Sequence, residues 1–199
     1  METQEITIFD IEELSEESQE KAYTDWLQNF EYFHNEDNEA SLKAFADVFP
    51  IKVKDYSYGY CNSFINFELI YDTIQGNDIR EFKGLRLLKH IVNNYWNDLF
   101  EGKKYYGKEY KKFRQSRIHF EQKMLTGFYL DYDLMQPIID FLKNPSEHTD
   151  IEDIMNDCLQ AWLSACNSDY EACQSMEYFK DTSEANGWQY YESGRFFYK

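Results

Sequence analysis

The chain has 199 residues, with 37 acidic and 20 basic side chains and a formal net charge of −17. Hydrophobic residues make up 43% and aromatics 19%, enough apolar area for a core, which excludes the disordered class despite the charge. No window approaches the roughly 18 consecutive apolar residues of a membrane-spanning helix, and the start of the chain lacks the basic and apolar runs of a secretory signal.

Residues 6–9, Ile-Thr-Ile-Phe, read as a short strand. Ser15 is placed to cap a helix, with Glu16, Glu17 and Glu20 near the positive end of its dipole. Ala22, Tyr23, Trp26, Leu27, Phe30 and Phe33 recur at helical spacing, which predicts one apolar stripe opposite an acidic face. A second helix carries Leu42, Phe45 and Phe49 and stops at Pro50, which pushes residue 49 out of the α region. Residues 51–54 alternate apolar and basic, and residues 65–71 put Ile65, Phe67, Leu69 and Tyr71 on one face. These two runs read as strands joined by a hairpin loop over 58–62.

A central helix follows, with Phe82, Leu85, Leu88, Val92, Tyr95 and Leu99 along one side and Gly102 as its stop. Residues 103–117 read as a strand or loop leading into a strand at 117–121. A turn at 125–127 precedes a helix with Leu134, Ile138, Ile139 and Leu142, in which Pro137 is tolerable only in the first turn. The last third holds one long helical pattern, from Ile151 through Cys158 and Trp162 to Met176, with a break expected near residues 167–168 and a stop at Gly187. Residues 188–191 and 195–198 read as a closing hairpin around Ser193 and Gly194. With no repeat and no Pro/Gly-rich linker, the prediction is a single α+β domain over 1–199, several helices packed on a small, mostly antiparallel sheet.

Cys61, Cys158, Cys166 and Cys173 form no C-x-x-C pair and no zinc-like spacing. Steps of 8 and 7 residues keep the last three within about 80° on a helix, so they read as small apolar residues on a buried face. Reduced thiols of this kind point to a cytoplasmic protein.

Charge is laid out in blocks. Residues 1–50 carry 14 acidic and 2 basic side chains (net −12), residues 51–130 carry 9 and 14 (net +5), and residues 131–199 carry 14 and 4 (net −10). Carboxylates three or four apart on a helix lie about 5–6 Å from one another, a spacing that approximates a track of phosphates. Glu13, Glu16, Glu17 and Glu20 form one such candidate partner-binding face, and Asp150, Glu152, Asp153 and Asp157 form another. Lys103, Lys104, Lys108, Lys111, Lys112, Arg114 and Arg117 give residues 103–117 a local +6 with interleaved aromatics. That strip suits self-association or pairing with an acidic face, or contact with nucleic acid, although the rest of the chain repels polyanions.

A weaker constellation is His119 and Glu121 on one strand, followed by Asp131 and Asp133, residue types that can hold a hard cation. Asp-Tyr-Asp lacks the glycine and distal glutamate of a calcium loop, and either Asp is explained as a helix cap. No Gly-x-Ser-x-Gly or glycine-rich phosphate loop occurs, so no catalytic residue is assigned and no cofactor is expected.

Several segments in order carry a resemblance: residues 14–17 with 19–22, 84–86, 125–128 with Asp133 and Pro137, 157–159, 169–171, and 184–186 ahead of Gly194, Arg195 and Phe196. Over nearly its whole length the chain resembles a family of small acidic proteins of phages and prophages, some labelled antitoxin-like. The resemblance brings no catalytic site. It implies an accessory phage protein acting inside an infected bacterial cell.

Charge pattern and resemblance give one leading expectation. It is a non-enzymatic inhibitor of a bacterial defence system, of the anti-CRISPR kind, whose acidic helix faces take the place of DNA or RNA in a Lys/Arg-lined groove. Trp26, Tyr32, Tyr170 and Tyr191 are candidate anchors. The expected partner is a host defence protein or nucleoprotein effector, with no membrane and no direct nucleic-acid binding, and a homodimer through the basic strip is compatible with the pattern. Two alternatives stay open: an antitoxin-like or regulatory protein that neutralises one dedicated partner, and a metal-dependent enzyme using Glu121, Asp131 and Asp133.

Overall fold

A computed structural model of the chain describes residues 6–59, 62–70, 73–74, 77–105 and 119–198. In chain order the elements are a 3-10 turn (Ile11–Glu13), α1 (Glu16–Leu27), α2 (Asn35–Val48), β1 (Ile51–Ser57), β2 (Phe64–Leu69), β3 (Thr73–Ile74) and β4 (Asn77–Asp78). A second 3-10 turn (Ile79–Glu81) leads to α3 (Gly84–Asn94), α4 (Trp96–Leu99), β5 (Phe100–Tyr105), β6 (His119–Gln122), α5 (Leu130–Lys143), α6 (Ile151–Cys173) and α7 (Met176–Ala185). The fold class is α+β, and the antiparallel strands form separate two-stranded ladders, β1–β2, β3–β4 and β5–β6. The chain divides into two compact units: unit 1 takes both ends, Met1–Phe33 and Ser168–Lys199, and unit 2 is His34–Asn167. Among the described residues no helix is long and apolar enough to cross a membrane.

In unit 1, α1 begins where Ser15 accepts a hydrogen bond from the Ser18 N–H at 3.3 Å. It ends at Leu27, so the stripe expected to run to residue 33 is too long, and Phe33 is 79% exposed. α7 is capped in the same way by Ser175, whose hydroxyl accepts from the Tyr178 N–H. Gly187, at φ +60°, turns the chain out of α7 while the Trp188 N–H returns to the Ser183 carbonyl at 2.9 Å. The strand expected at 6–9 is a single bridge, Phe9 with Tyr190, and the closing hairpin is the bridge of Tyr190 with Phe196. Ile11, Leu14, Ala22, Phe179 and Tyr190 form the buried core, with Trp26, Trp188 and Phe196 among the rings packed on it.

Unit 2 holds the larger core, centred on residues such as Phe45, Leu87, Ile91, Leu134, Ile138 and Trp162. β1 and β2 pair from Ile51 with Leu69 to Ser57 with Phe64, and a bulge lies between Val53 and Asp55. The alternation predicted for β2 holds: Ile65 and Leu69 are buried and Phe67 half-buried. Trp162 donates its indole N–H to the Asn38 carbonyl at 3.2 Å and meets Tyr56 and Tyr58 edge-on. Cys158, Cys166 and Cys173 are buried thiols, as their helical spacing predicts, whereas Cys61 and Tyr71 lie outside the described residues.

Of the stripe predicted for the central helix, which is split into α3 and α4, Phe82 and Leu99 are buried and Leu88, Val92 and Tyr95 pack on the core. Leu85, in contrast, is 71% exposed, and Leu87, His90 and Ile91 are the most buried side chains of α3. Gly102 then lies inside β5 instead of stopping the helix. Pro137 sits well inside α5, where it has no N–H for the Asp133 carbonyl. α5 starts early because the buried Asp131 carboxylate accepts from the backbone N–H groups of Thr126 (2.7 Å) and Gly127 (3.1 Å), fixing the preceding turn. α6 passes residues 167–168 without a break. Asn167 directs its side chain to the Gly59 N–H (2.9 Å) and the Ser63 hydroxyl (2.7 Å), so it does not compete for its own helix backbone.

Candidate docking surface

Unit 1 carries 16 acidic and 4 basic side chains, net −12, and the much longer unit 2 carries 21 and 16, net −5. The three charge blocks of the sequence therefore do not match the units, and most of the imbalance belongs to the smaller one.

On α1 the acidic residues and the packed residues part cleanly. At 3.6 residues per turn, Glu16, Glu17 and Glu20 share an arc of about 100°, on the side of the helix away from Ala22 and Trp26. All three carboxylates are exposed, and none is bonded to another described group. Glu13 has a different job: its carboxylate accepts from the Asp10 N–H at 3.0 Å and closes a capping box on the first 3-10 turn.

The second acidic group lies in unit 2 at the start of α6. Asp150 and Asp153 cap that helix reciprocally, each side chain accepting from the other's backbone N–H at 3.0–3.1 Å. Asp150 is also ion-paired with Lys83 at 3.3 Å. Burial pushes its carboxyl up, but the Asp153 N–H and the Lys83 ammonium outweigh this and hold it below the usual range. Glu152 and Asp157 face solvent. Of the eight predicted contact carboxylates, Glu16, Glu17, Glu20, Glu152 and Asp157 are thus exposed and uncommitted, while Glu13, Asp150 and Asp153 hold helix ends.

The backbone of Lys103 and Lys104 runs in β5, whereas Lys108, Lys111, Lys112, Arg114 and Arg117 lie outside the described residues. Of the weak metal candidates, the backbones of His119 and Glu121 are in β6, Asp133 is exposed on α5, and Asp131 is fully buried and already bonded to Thr126 and Gly127. A carboxylate whose lone pairs are taken by N–H and O–H donors has little left for a cation. The candidate anchors are partly used inside unit 1: the Tyr32 hydroxyl donates to Asp169, the rings of Tyr32 and Tyr170 lie 5.2 Å apart, and Tyr191 packs edge-on with Phe197.

Unit 1 also contains a cleft of about 520 Å³ that sequence reasoning missed. Ala22, Asp25 and Trp26 of α1, with Asn29 just beyond its end, line one side, and Phe179, Trp188, Tyr190, Gly194, Arg195, Phe196 and Tyr198 complete it. The one legible signal was the i, i+3, i+4 spacing of Ala22, Asp25 and Trp26 on α1; the far wall depends on the segment after α7 folding back. Gly194 fixes that return. At φ +79° it brings its backbone so close to α1 that a Cβ there would sit 2.1 Å from the Ser18 carbonyl oxygen, and the Ser18 hydroxyl donates to the Glu192 carbonyl at 2.7 Å. Arg195, beside this glycine, is exposed and forms no ion pair with a described residue. Comparison with protein-family models, curated proteins and solved structures gives no match to this chain.

Proposed function

We propose that this protein is a non-enzymatic, phage-type inhibitor that docks its acidic surface on the basic nucleic-acid groove of a bacterial defence effector, an anti-CRISPR-like activity exerted in the host cytoplasm. The observation that carries the reading is the row Glu16, Glu17 and Glu20, exposed and uncommitted on one side of α1, within a unit of net −12. A concentrated field of one sign accelerates encounter with an oppositely charged groove and excludes competing polyanions. The remaining uncommitted contact carboxylates, Glu152 and Asp157 of unit 2, carry the same sign.

The test is a panel of purified defence nucleases assayed for target-DNA binding with and without the protein. Inhibition of one of them is expected, weakened at about 0.5 M salt, where the Debye length falls to roughly 4 Å. The E16K/E17K/E20K variant should keep its circular dichroism while melting lower, because each reversed charge in the first turns of α1 loses up to about 1 kcal/mol of interaction with the helix dipole, and should inhibit at least about 30-fold less, or some 2 kcal/mol. Undiminished inhibition by that variant, or no inhibition anywhere in the panel, overturns the proposal.

A further inference from the structure

We infer that the cleft of unit 1 receives a guanidinium, the side chain of an arginine presented by a basic protein partner. This rests on the reading of unit 1 as the part that meets a basic surface, and it adds one specific contact to a diffuse attraction.

Trp26, Phe179, Trp188, Tyr190, Phe196 and Tyr198 all line the same space. Phe196 stands almost perpendicular to Trp188 (84°, centroids 5.7 Å apart) and to Tyr190 (87°, 5.7 Å). Rings set at such angles present faces as well as edges, and the face of an aromatic ring attracts a cation. Among the described lining residues Asp25 supplies the carboxylate, carried on the same side of α1 as Ala22 and Trp26. The net charge of −12 on the surrounding unit favours a cation over an anion at this position.

Arginine suits the cleft better than lysine. Its flat, weakly hydrated guanidinium stacks on rings and offers a fork of N–H donors to a carboxylate, whereas an ammonium is a compact, strongly hydrated point charge. A volume of about 520 Å³ holds the side chain together with the peptide that bears it. Arg195 lines the cleft as well, and it acts against the entering cation. The sign of its effect is therefore diagnostic: removing its charge should strengthen binding of a guanidinium, and would weaken binding of an anion.

The experiment titrates acetyl-Gly-Arg-Gly-amide into the full chain at about 0.15 M salt, where the Debye length is about 8 Å, and follows the four tryptophan indole N–H resonances by NMR. Trp26 and Trp188 line the cleft, while Trp96 and Trp162 are buried in unit 2 and serve as references. Saturable shifts confined to Trp26 and Trp188 are expected. The lysine counterpart of the peptide should bind more weakly, because an ammonium lacks the flat stacking face and the fork of donors. D25N should weaken binding and R195Q should tighten it. Absent shifts overturn the inference, as do shifts spread equally over all four indoles, tighter binding of acetyl-Gly-Glu-Gly-amide, or reversed signs for the two variants. Failure here is separable from failure of the proposed function: E16K/E17K/E20K alters the side of α1 away from the cleft, so it should abolish nuclease inhibition while the indole shifts persist.

Discussion

Unit 1 and unit 2 differ in how much apolar interior stands behind each charge. Unit 2 spans His34–Asn167, with a net charge of −5 and an extended core that includes Phe45, Leu134, Ile138 and Trp162. Unit 1 is far shorter, carries more than twice the net charge, and has a core of Ile11, Leu14, Ala22, Phe179 and Tyr190 ringed by aromatics. Small units bury a smaller fraction of their surface and have less stability to set against self-repulsion. Unit 1 manages with rings: Trp26 lies 5.2 Å from both Phe30 and Phe179, and each large ring supplies more buried area than an aliphatic side chain. The lesson is that a surface dedicated to charge needs a disproportionately aromatic support.

The strongest way to break this comparison is to remove the support on each side in turn. Trp162→Ala should cost unit 2 about 3–5 kcal/mol, the range for a large aromatic truncated in a core, and it also leaves the Asn38 carbonyl without the indole donor. Gly194→Ala should cost unit 1 about 3 kcal/mol, since the residue needs φ +79° and the added methyl collides with the Ser18 carbonyl. Urea denaturation of both single variants and the double variant then measures their independence. Losses that add to within about 0.5 kcal/mol mean two separately supported units. A larger discrepancy means that α6, whose residues belong to unit 2 up to Asn167 and to unit 1 from Ser168, makes one cooperative body of them.

A smaller effect sharpens the description of unit 2. His90 is buried between the rings of Phe82 and Tyr95, its Nδ1 3.1 Å from the Asn94 amide nitrogen and its Nε2 without a partner among the described residues. Burial disfavours the charged imidazolium and lowers its pKa. The unfolded chain therefore takes up the proton first. Stability contributed by neutral His90 is present above the ordinary histidine value of about 6.5 and is lost as pH falls from there through the lowered folded value. His90→Phe should flatten the fall in melting temperature between about pH 7 and pH 5 relative to the parent chain. An unchanged difference between the two proteins across that window would rule out this assignment.

How much of this was legible in the sequence varies with the range of the interaction involved. The cap of α1 and the stop of α2 at Pro50 are local, and Ser15, Phe49 and Pro50 behave as their chemistry dictates. The α+β class and the faces of β2 follow from periodicity. The face of α3 followed in part: Leu88 and Val92 pack on the core as their spacing predicts, but Leu85 is exposed and the fully buried positions go to Leu87 and Ile91, which only tertiary packing decides. Nor did the continuity of α6, which depends on Asn167 finding partners far away along the chain in Gly59 and Ser63. At the acidic faces, composition picked out eight carboxylates but not the division of labour among them; Asp150 and Asp153 show that the residues best placed to cap a helix are also the ones that look like a docking patch. The cleft was out of reach because residues 22–29 and 188–198 lie far apart along the chain. Only tertiary packing brings them together, through the shared cluster of Ala22, Trp26, Trp188, Tyr190 and Phe196 and the close approach of Gly194 to Ser18.

That close approach has a consequence for how the chain comes into being. Residues 34–167 can assemble during synthesis, but residues 1–33 must wait for the segment after α7 to arrive before Gly194 can dock on Ser18. That segment begins about 150 residues beyond Phe33, and at roughly 5–20 residues per second it follows after about 8–30 s. Throughout that interval Tyr23, Trp26 and Phe30 hang from the nascent chain without their packing partners Phe179 and Tyr170. The same segment carries ten carboxylates against a single lysine. Like net charge on neighbouring chains opposes their association, so the same carboxylates that crowd this segment work against aggregation of its rings until the far part of the polypeptide covers them.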